Sequence, residues 1–387
     1  MKRIKMFNIK ISGPQRLCVI WILCCCLLVA ACSRQPHTDY DAELAGIEQH
    51  INAIGTPADK DAAIKQVYYH YLRASLSGNF RDFKTVDAII DNALQAYGSS
   101  ADLHYFRATL RFKLHRLQDA LADIRLLPQP EDSPELQAMM ADIAFQQGDY
   151  SAALSGYASA LEQDKTWDKL ARLAYYKLKT GDPSGADELY RQAQEKISAK
   201  EMRTYAWIEL QRGLIDLEYK DFPAALAHYE NANRAYSGYW LIEEHIAEVL
   251  HLLQRDAEST ALYKKIIAKT GNPEFITALA NITEANDPAA AAALYRQADT
   301  LYAAQLELYP EAAMGHLIEH LLQKKDIDPR LLQYAEENHQ LRPNAEAKLL
   351  LAQTHLKLGN ASAAQELVRE VLQTPWRTPQ LAELAKI

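Results

Sequence analysis

Residues 316–320 read His-Leu-Ile-Glu-His, and their side chains and spacing suggest chemistry more directly than any other segment. On a helix, His316 and His320 lie four residues apart and therefore project from the same face. Two imidazoles on one face could bind a zinc ion, and Glu319 could act as the general base that activates a zinc-bound water. The segment therefore offers zinc-dependent hydrolysis as one hypothesis.

The surrounding sequence does not support that hypothesis. The H-x-x-E-H spelling is similar to the motif of inverted zinc peptidases, whose third ligand is a glutamate far downstream. Only 67 residues follow His320, and their pattern is helical, with no sign of an α/β peptidase domain. We therefore interpret both histidines as polar residues on a helix flank and keep His316, Glu319 and His320 as an alternative metal site. No Gly-rich phosphate loop or G-x-S-x-G elbow occurs, so we expect no enzyme and no cofactor.

The elements that position these residues belong to a recurring unit. Segment 181–194 (GDPSGADELYRQAQ) matches segment 286–299 (NDPAAAAALYRQAD), and related turns begin at Gly148, Lys220 and Gly359. Gly tolerates the left-handed backbone that ends a helix, and Asp or Asn caps the next one. Each copy then has a small residue, Ala186 or Ala291, which lets two helices approach closely. An aromatic residue four places later, Tyr190 or Tyr295, fills the gap to the neighbouring unit.

This pattern resembles the tetratricopeptide repeat (TPR) over residues 64–375. The resemblance implies an all-α fold, a right-handed α-solenoid of about nine helix–turn–helix repeats. A step of 39 residues across 195–201 implies a longer helix or an inserted turn, since the usual period is about 34 residues. The predicted repeats begin near Ile64, Ala101, Pro134, Trp167, Ala206, Trp240, Asn272, Tyr309 and Ala345.

The first 31 residues are predicted to be a signal peptide. Five basic residues and no acidic ones precede an apolar run, residues 17–31, which is short for a spanning helix. Val29-Ala30-Ala31-Cys32 resembles a bacterial lipobox, which implies cleavage before Cys32 and acylation of that residue. Ser33 in place of Asp favours the outer membrane by the same resemblance, with the inner membrane as the alternative. We expect a lipid-anchored protein on the periplasmic face.

Domain boundaries follow from these patterns. Residues 1–31 form the signal peptide, and residues 32–63 contain the acylated cysteine, a polar tether (33–40) and an N-terminal helical cap. Residues 64–375 form the solenoid, and residues 376–387 form a C-terminal cap. No cysteine follows Cys32, so the mature chain is predicted to have neither a disulfide nor a thiolate metal site.

The balance of charge excludes one class of partner. The chain has 42 basic and 50 acidic residues, and five of the basic residues lie in the predicted signal peptide. The mature part therefore has a net charge of −13. Since nucleic-acid binding depends on neutralising phosphates with basic side chains, we expect no nucleic-acid partner.

The TPR resemblance also implies where a partner binds. In such arrays the first helix of each repeat lines a concave groove, at its second, fifth, ninth, twelfth and thirteenth places. Aromatic and leucine side chains there would suit a peptide or helix from another protein. The strongest candidates are Tyr175, Leu178, Trp207, Leu210, Leu214, Glu248 and His251, and the other candidates are Phe112, Lys113, Phe145, Gln146, Lys179, Leu217, Glu244, Gln353 and Lys357.

Among these residues, Tyr175 and Trp207 are together the best candidates for contact with a partner, and we interpret segment 236–240 as a packed repeat junction. The sequence thus favours a non-catalytic scaffold that holds a protein or peptide in an envelope assembly or secretion system. The alternatives are the zinc hydrolase, a purely structural envelope protein, and a glycan-binding protein. TPR-like folds serve unrelated machines, so the sequence does not name the partner.

Overall fold

The computed structural model describes residues 38–387, which form α-helices and one short 3₁₀ turn. Helix α1 (Asp39–Ile54) precedes the repeats, and helix α20 (Pro379–Leu384) follows them. Within this range, nine helical hairpins lie between α1 and α20. The hairpins are α2 (Lys60–Ser77) with α3 (Phe80–Tyr97), α4 (Ala101–Lys113) with α5 (Leu117–Ile124), α6 (Pro134–Gln146) with α7 (Tyr150–Gln163), α8 (Trp167–Lys179) with α9 (Pro183–Gln194), α10 (Met202–Glu218) with α11 (Phe222–Ala235), α12 (Trp240–Leu252) with α13 (Asp256–Thr270), α14 (Pro273–Glu284) with α15 (Pro288–Leu308), α16 (Pro310–Gln323) with α17 (Leu331–Leu341), and α18 (Ala345–Lys357) with α19 (Ala361–Leu372).

Several hairpins turn at corners of the predicted kind. Gly148 and Gly181 adopt left-handed backbone, with φ of 81° and 87°. Asp149, Asp182 and Asp287 then cap the following helix, because each carboxylate accepts a hydrogen bond from the backbone N–H three residues later. These corners confirm the all-α solenoid that the repeat pattern predicts.

The repeat boundaries agree closely with the sequence. Helices begin at Ala101, Pro134, Trp167, Trp240 and Ala345, the five residues predicted as repeat starts there. The remaining predicted starts lie within four residues of a helix start. The spacing of turns and aromatic residues is therefore a reliable guide to the helices of this chain.

Three local differences from the expected pattern have simple causes. Helix α10 begins at Met202 and runs for 17 residues, and a connection over 195–201 separates it from α9. The long repeat therefore contains both a longer helix and an inserted turn. Helix α2 begins at Lys60, before the predicted Ile64. Asp39 and Tyr40 belong to α1 and not to a tether, because the Thr38 side chain caps the helix by accepting from the Asp41 N–H.

The core within the hairpins is built from small residues and rings. Tyr190 and Tyr229 from the second helices are almost completely buried, at 1% and 0% exposed. A Cβ added at Gly213 would collide with the Tyr229 ring, so the small residue of α10 is what admits this tyrosine. Burying each such ring stabilises the fold by about 1.5–3 kcal/mol.

The solenoid winds tightly enough for one superhelical turn to contact the next. The Trp240 indole N–H donates to the Leu76 carbonyl at 2.7 Å, across 164 residues of sequence. Arg342 Nη1 donates to His115 Nε2 at 3.1 Å, across 227 residues. We call this line of contact the inter-turn seam, formed by residues 38–80, 115–150 and 177–181 against residues 236–240, 309, 342–345 and 376–383.

Backbone groups contribute directly to the seam. The Tyr150 hydroxyl accepts a 2.8 Å hydrogen bond from the Ala345 N–H, and the Arg377 N–H donates to the Lys179 carbonyl at 2.8 Å. The side-chain amide of Asn344 donates to the Gln146 carbonyl at 3.1 Å. Because backbone groups take part, the two turns are held in a fixed register.

The two ends of the described chain pack against the inter-turn seam. Tyr40 of α1 stacks on Tyr239 with ring centroids 5.6 Å apart, and Lys269 Nζ lies 3.9 Å from the Tyr40 ring centroid. Segment 236–240 is therefore packed, and α1 covers it. At the other end, the Trp376 ring packs against Phe145 at 5.9 Å, which fastens residues 376–384 to α6.

Within residues 38–387, no helix is both long and apolar enough to cross a bilayer. The predicted signal peptide, residues 1–31, and the predicted lipidation site, Cys32, lie outside the described residues.

Candidate binding groove

Two connected cavities lie on the inner side of the superhelix. The smaller, of about 280 Å³, is lined by side chains of α12, α14, α15 and α16. The larger, of about 610 Å³, lies between the two superhelical turns, with α3 and α4 on one side and α12, α14 and α15 on the other. Glu244, Glu274, Tyr302 and His316 line both cavities. We call the joined space the inner groove.

The smaller cavity is strongly acidic. Glu244, Glu248, Glu274 and Glu319 line it together with His251 and His316. Burial and the nearby charges of Glu248 and Glu274 raise the pKa of Glu244 to about 8. This end of the groove therefore favours the neutral form of Glu244 unless a positive charge binds beside it.

His316 supplies part of that charge. The carboxylate of Glu274 raises the pKa of His316 to about 9, and the neighbouring Glu319 carboxylate, 3.5 Å from Nδ1, acts in the same direction. The His316 side chain is 54% exposed, so it faces the water of the groove and remains accessible to a ligand.

The larger cavity is apolar at its centre and basic at its far side. Phe80, Trp240, Leu301 and Leu308 line it, and the Phe80 ring contacts the Tyr309 ring in an edge-to-face arrangement at 6.2 Å. Lys113 lies in the same cavity, and burial lowers the pKa of its ammonium group. The groove thus runs from a carboxylate-rich end to an apolar, partly basic end.

The structure places several predicted groove residues at open positions. Glu248 and His251 line the acidic cavity, and His251 Nδ1 lies 2.7 Å from Asp256 Oδ1. Tyr175, Trp207 and Leu214 are each half-buried on the first helices of their repeats.

Tyr175 and Trp207, the best predicted pair of partner contacts, each pack against a ring of this chain, and their contact with a partner stays a prediction. The Trp207 ring contacts Trp167, with centroids 6.0 Å apart, and the Tyr175 ring contacts Phe145 at 5.6 Å. Each ring finds its partner in the repeat before it, because the first helices of successive repeats pack side by side.

Three predicted groove residues are buried, so their assignment to an open surface is wrong. Leu178 is 4% exposed and packs in the core formed by α8, α9 and α10. Leu210 is 2% exposed in a core that includes Tyr40 of α1, so the N-terminal helix covers it. Phe145 is 6% exposed because Trp376 and its neighbours pack over it.

The structure also contradicts the alternative zinc site of His316, Glu319 and His320. His320 is 1% exposed, and Thr277 Oγ1 lies 2.7 Å from its Nδ1, while Asp299 Oδ1 lies 2.8 Å from its Nε2. Burial lowers the pKa of His320, and both of its ring nitrogens have hydrogen-bond partners, Thr277 at Nδ1 and Asp299 at Nε2. With both nitrogens engaged in the core, His320 cannot bind the same ion as His316.

Sequence reasoning missed most of the groove's far wall. Phe80 and Lys113 reach the groove from the first superhelical turn, and Glu274 and Leu301 reach it from α14 and α15. Lys113 was a candidate through its place in the repeat, but no local signal joins it to residues more than 100 positions away. The winding of the solenoid creates that proximity.

Comparisons with known proteins fit this architecture. A family model described as the TT21 fifth ARM repeats domain matches residues 135–240. No curated protein sequence matches the chain. Among solved structures, the human IFIT1 dimer with m7Gppp-AAAA is 13% identical, covers 86% of this chain and 78% of that one, and has a TM-score of 0.49.

Two further solved structures are similar over long stretches. Yeast Tom70 is 14% identical, covers 89% of this chain and 95% of that one, and has a TM-score of 0.37. PilF of Pseudomonas aeruginosa is 17% identical, covers 64% of this chain and 93% of that one, and has a TM-score of 0.36. These similarities concern the fold, and the described chain is a TPR-like helical-repeat solenoid.

Proposed function

We propose that this protein is a non-catalytic scaffold that holds a segment of another protein in the inner groove. The observation that carries the proposal is the groove itself, where an apolar space between two superhelical turns opens into a cavity lined by four glutamates. A surface with apolar contacts at one end and fixed charge at the other gives both affinity and register to a bound segment.

The lining indicates the character of the partner. Trp240, Leu301 and Leu308 would bury apolar side chains, and the glutamates around Glu244 would favour Lys or Arg. A short amphipathic segment with a basic end therefore suits the groove. Its apolar side would lie between the turns, and its basic end would reach the acidic cavity.

We also propose that Cys32 carries a lipid and tethers the scaffold to the periplasmic face of the outer membrane. Helix α1 begins at Asp39, seven residues after Cys32. A chain of that length spans at most about 25 Å, which would hold the solenoid close to the lipid surface. Anchoring would raise the local concentration of the partner in an envelope assembly or secretion system.

Site-specific photo-crosslinking in living cells tests the groove proposal. A photoreactive amino acid at Gln305 faces the larger cavity, and the same amino acid at Glu162, an exposed position of α7 away from the groove, serves as the matched control. We expect a discrete protein adduct from position 305 and none from position 162. The adduct should disappear when Leu301→Glu places a charge in the apolar part of the groove.

Equal crosslinking from both positions would contradict the proposal, and so would an adduct that survives Leu301→Glu in a folded protein. Circular dichroism of the Leu301→Glu variant shows whether its helices are intact. Leu301 is only partly buried, so its replacement is expected to leave the fold in place.

A further inference from the structure

Helix α12 brings together three potential metal ligands at the acidic cavity of the inner groove. One ligand atom each from Glu244, His245 and Glu248 lies within 4.8 Å of the others. His245 Nδ1 is 3.3 Å from Glu244 Oε2 and also 3.3 Å from Glu248 Oε2. One imidazole nitrogen thus lies between two carboxylates.

The contact of His245 Nδ1 with Glu248 Oε2 is a long hydrogen bond, and the same separations also suit the ligands of a bound ion. A charge-assisted N–H···O bond is usually about 2.7–2.9 Å long. Around a tetrahedral zinc ion with bonds of about 2.0–2.2 Å, neighbouring ligand atoms are roughly 3.3–3.5 Å apart. Both measured separations of His245 Nδ1 correspond to edges of such a tetrahedron.

A second observation comes from the next helix. Tyr229 of α11 is completely buried, at 0% exposed, and its ring stacks on His245 with centroids 5.4 Å apart. Its hydroxyl has no hydrogen-bond partner among residues 38–387. A buried phenol whose ring stacks on His245 and whose hydroxyl has no partner indicates a missing polar ligand such as a metal-bound water.

Among the described residues, no lysine or arginine side chain reaches the cluster. In the described part of the chain, no Lys or Arg nitrogen lies within 4.0 Å of the Glu244 or Glu248 carboxylates, and His245 is their only basic partner. The Glu244 side chain is 14% exposed, so solvent screens it little.

We propose that Glu244, His245 and Glu248 bind a zinc ion, with the fourth coordination position open to the acidic cavity. Three protein ligands and one open position are typical of zinc sites that hold water or an exchangeable ligand. Glu274 and His316 line the same cavity and face that open position. The site is separate from the contradicted set of His316, Glu319 and His320, and it requires no protein partner.

Zinc titration of the full chain tests the proposal. The detergent-purified protein is stripped with a chelator and titrated with zinc sulfate against a chromophoric competitor. The wild type is compared with His245→Gln, Glu248→Gln and the matched control His251→Gln. His251 is an exposed histidine on the same helix and in the same cavity, so its loss controls for nonspecific binding by nearby imidazole.

We expect one zinc equivalent in the wild type and in His251→Gln. His245→Gln and Glu248→Gln should each lower the affinity at least about 100-fold, beyond the 10- to 100-fold loss that follows removal of a ligand's supporting partner. The Glu248 side chain is 41% exposed, so Glu248→Gln provides a folded variant even if His245→Gln is unstable.

Two results would overturn the proposal. The first is a wild-type protein that binds no stoichiometric zinc. The second is unchanged affinity in Glu248→Gln or in folded His245→Gln. Either outcome leaves crosslinking at Gln305 unaffected, so the metal site and the partner groove are tested separately.

Discussion

Replacing Gly148 with alanine probes the inter-turn seam at its closest backbone approach. Gly148 has a φ of 81°, and a Cβ there would lie 2.7 Å from the Pro343 carbonyl oxygen of the next superhelical turn. Gly359 has the same φ of 81° at the corresponding hairpin corner, but a Cβ there would have nothing within 4 Å. The two glycines therefore differ in the seam contact and share the backbone conformation.

The expected magnitudes follow from these two features. Left-handed backbone costs an alanine about 1–2 kcal/mol, and both variants lose this amount. Gly148→Ala also forces a Cβ against a backbone oxygen that cannot rotate away, and overpacking of this kind costs about 1–3 kcal/mol more. We expect Gly148→Ala to lower the free energy of unfolding by about 2–5 kcal/mol and Gly359→Ala by about 1–2 kcal/mol.

Urea unfolding followed by circular dichroism measures both losses under the same conditions. Native-state hydrogen exchange then locates the change, because partial opening of a repeat protein can be local. In Gly148→Ala, amides at both Asn344 and Ala345 should exchange faster, although these residues lie 195 or more positions away in sequence. Equal losses in the two variants, with no faster exchange near Ala345, would refute a rigid seam.

Three further predictions concern other parts of the molecule. Burial and the adjacent Arg342 lower the pKa of His115 to about 3. As the pH falls below 6.5, the unfolded chain therefore binds a proton at this histidine before the folded chain does. The free energy of unfolding should then decline by up to about 1.4 kcal/mol per pH unit between pH 6.5 and 3. His115→Asn should flatten that slope in urea unfolding at pH 7.5, 6 and 5. Gln254 has a φ of 61° and an exposed side chain, so Gln254→Gly should raise stability by about 1 kcal/mol in the same assay, and a decrease would contradict the corner geometry. Cys32→Ala should move the protein from the membrane to the soluble fraction, and unchanged fractionation would exclude a lipid anchor.

The repeated corners could be predicted because their causes are local. The match of 181–194 with 286–299 locates two corners, and both appear with the capping aspartates Asp182 and Asp287. The capping aspartate, the left-handed glycine and the buried aromatic ring each make their contacts within one hairpin. A pattern of residue types along the sequence therefore determines the hairpins.

The groove could be predicted only in part, because its shape depends on contacts between distant repeats. Leu210 occupies a groove position within its own repeat, yet α1 covers it through Tyr40. Phe145 is covered by Trp376 in the same way. Small rotations between successive repeats accumulate along a solenoid, and they decide which first-helix residues meet the next turn. The accumulated rotation cannot be read from any short segment of sequence.

The motif at His316 and His320 shows the same limitation. On one helix face the two histidines look equivalent, but α14 and α15 supply Thr277 and Asp299 to one of them and leave the other facing the groove. Tertiary packing thus assigns His320 to the core and His316 to the ligand surface. The spacing alone could not distinguish these roles.

The most direct test of the account is a hydrogen-exchange footprint of the protein in complex with the partner captured through Gln305. The account predicts slower exchange on binding in the walls of the inner groove, at residues 240–245, 270–275 and 301–312, with little change in α7 and α19 on other faces of the solenoid. Protection concentrated in α7 or α19, with residues 301–312 unchanged, would contradict the claim that the groove between the turns is the binding site.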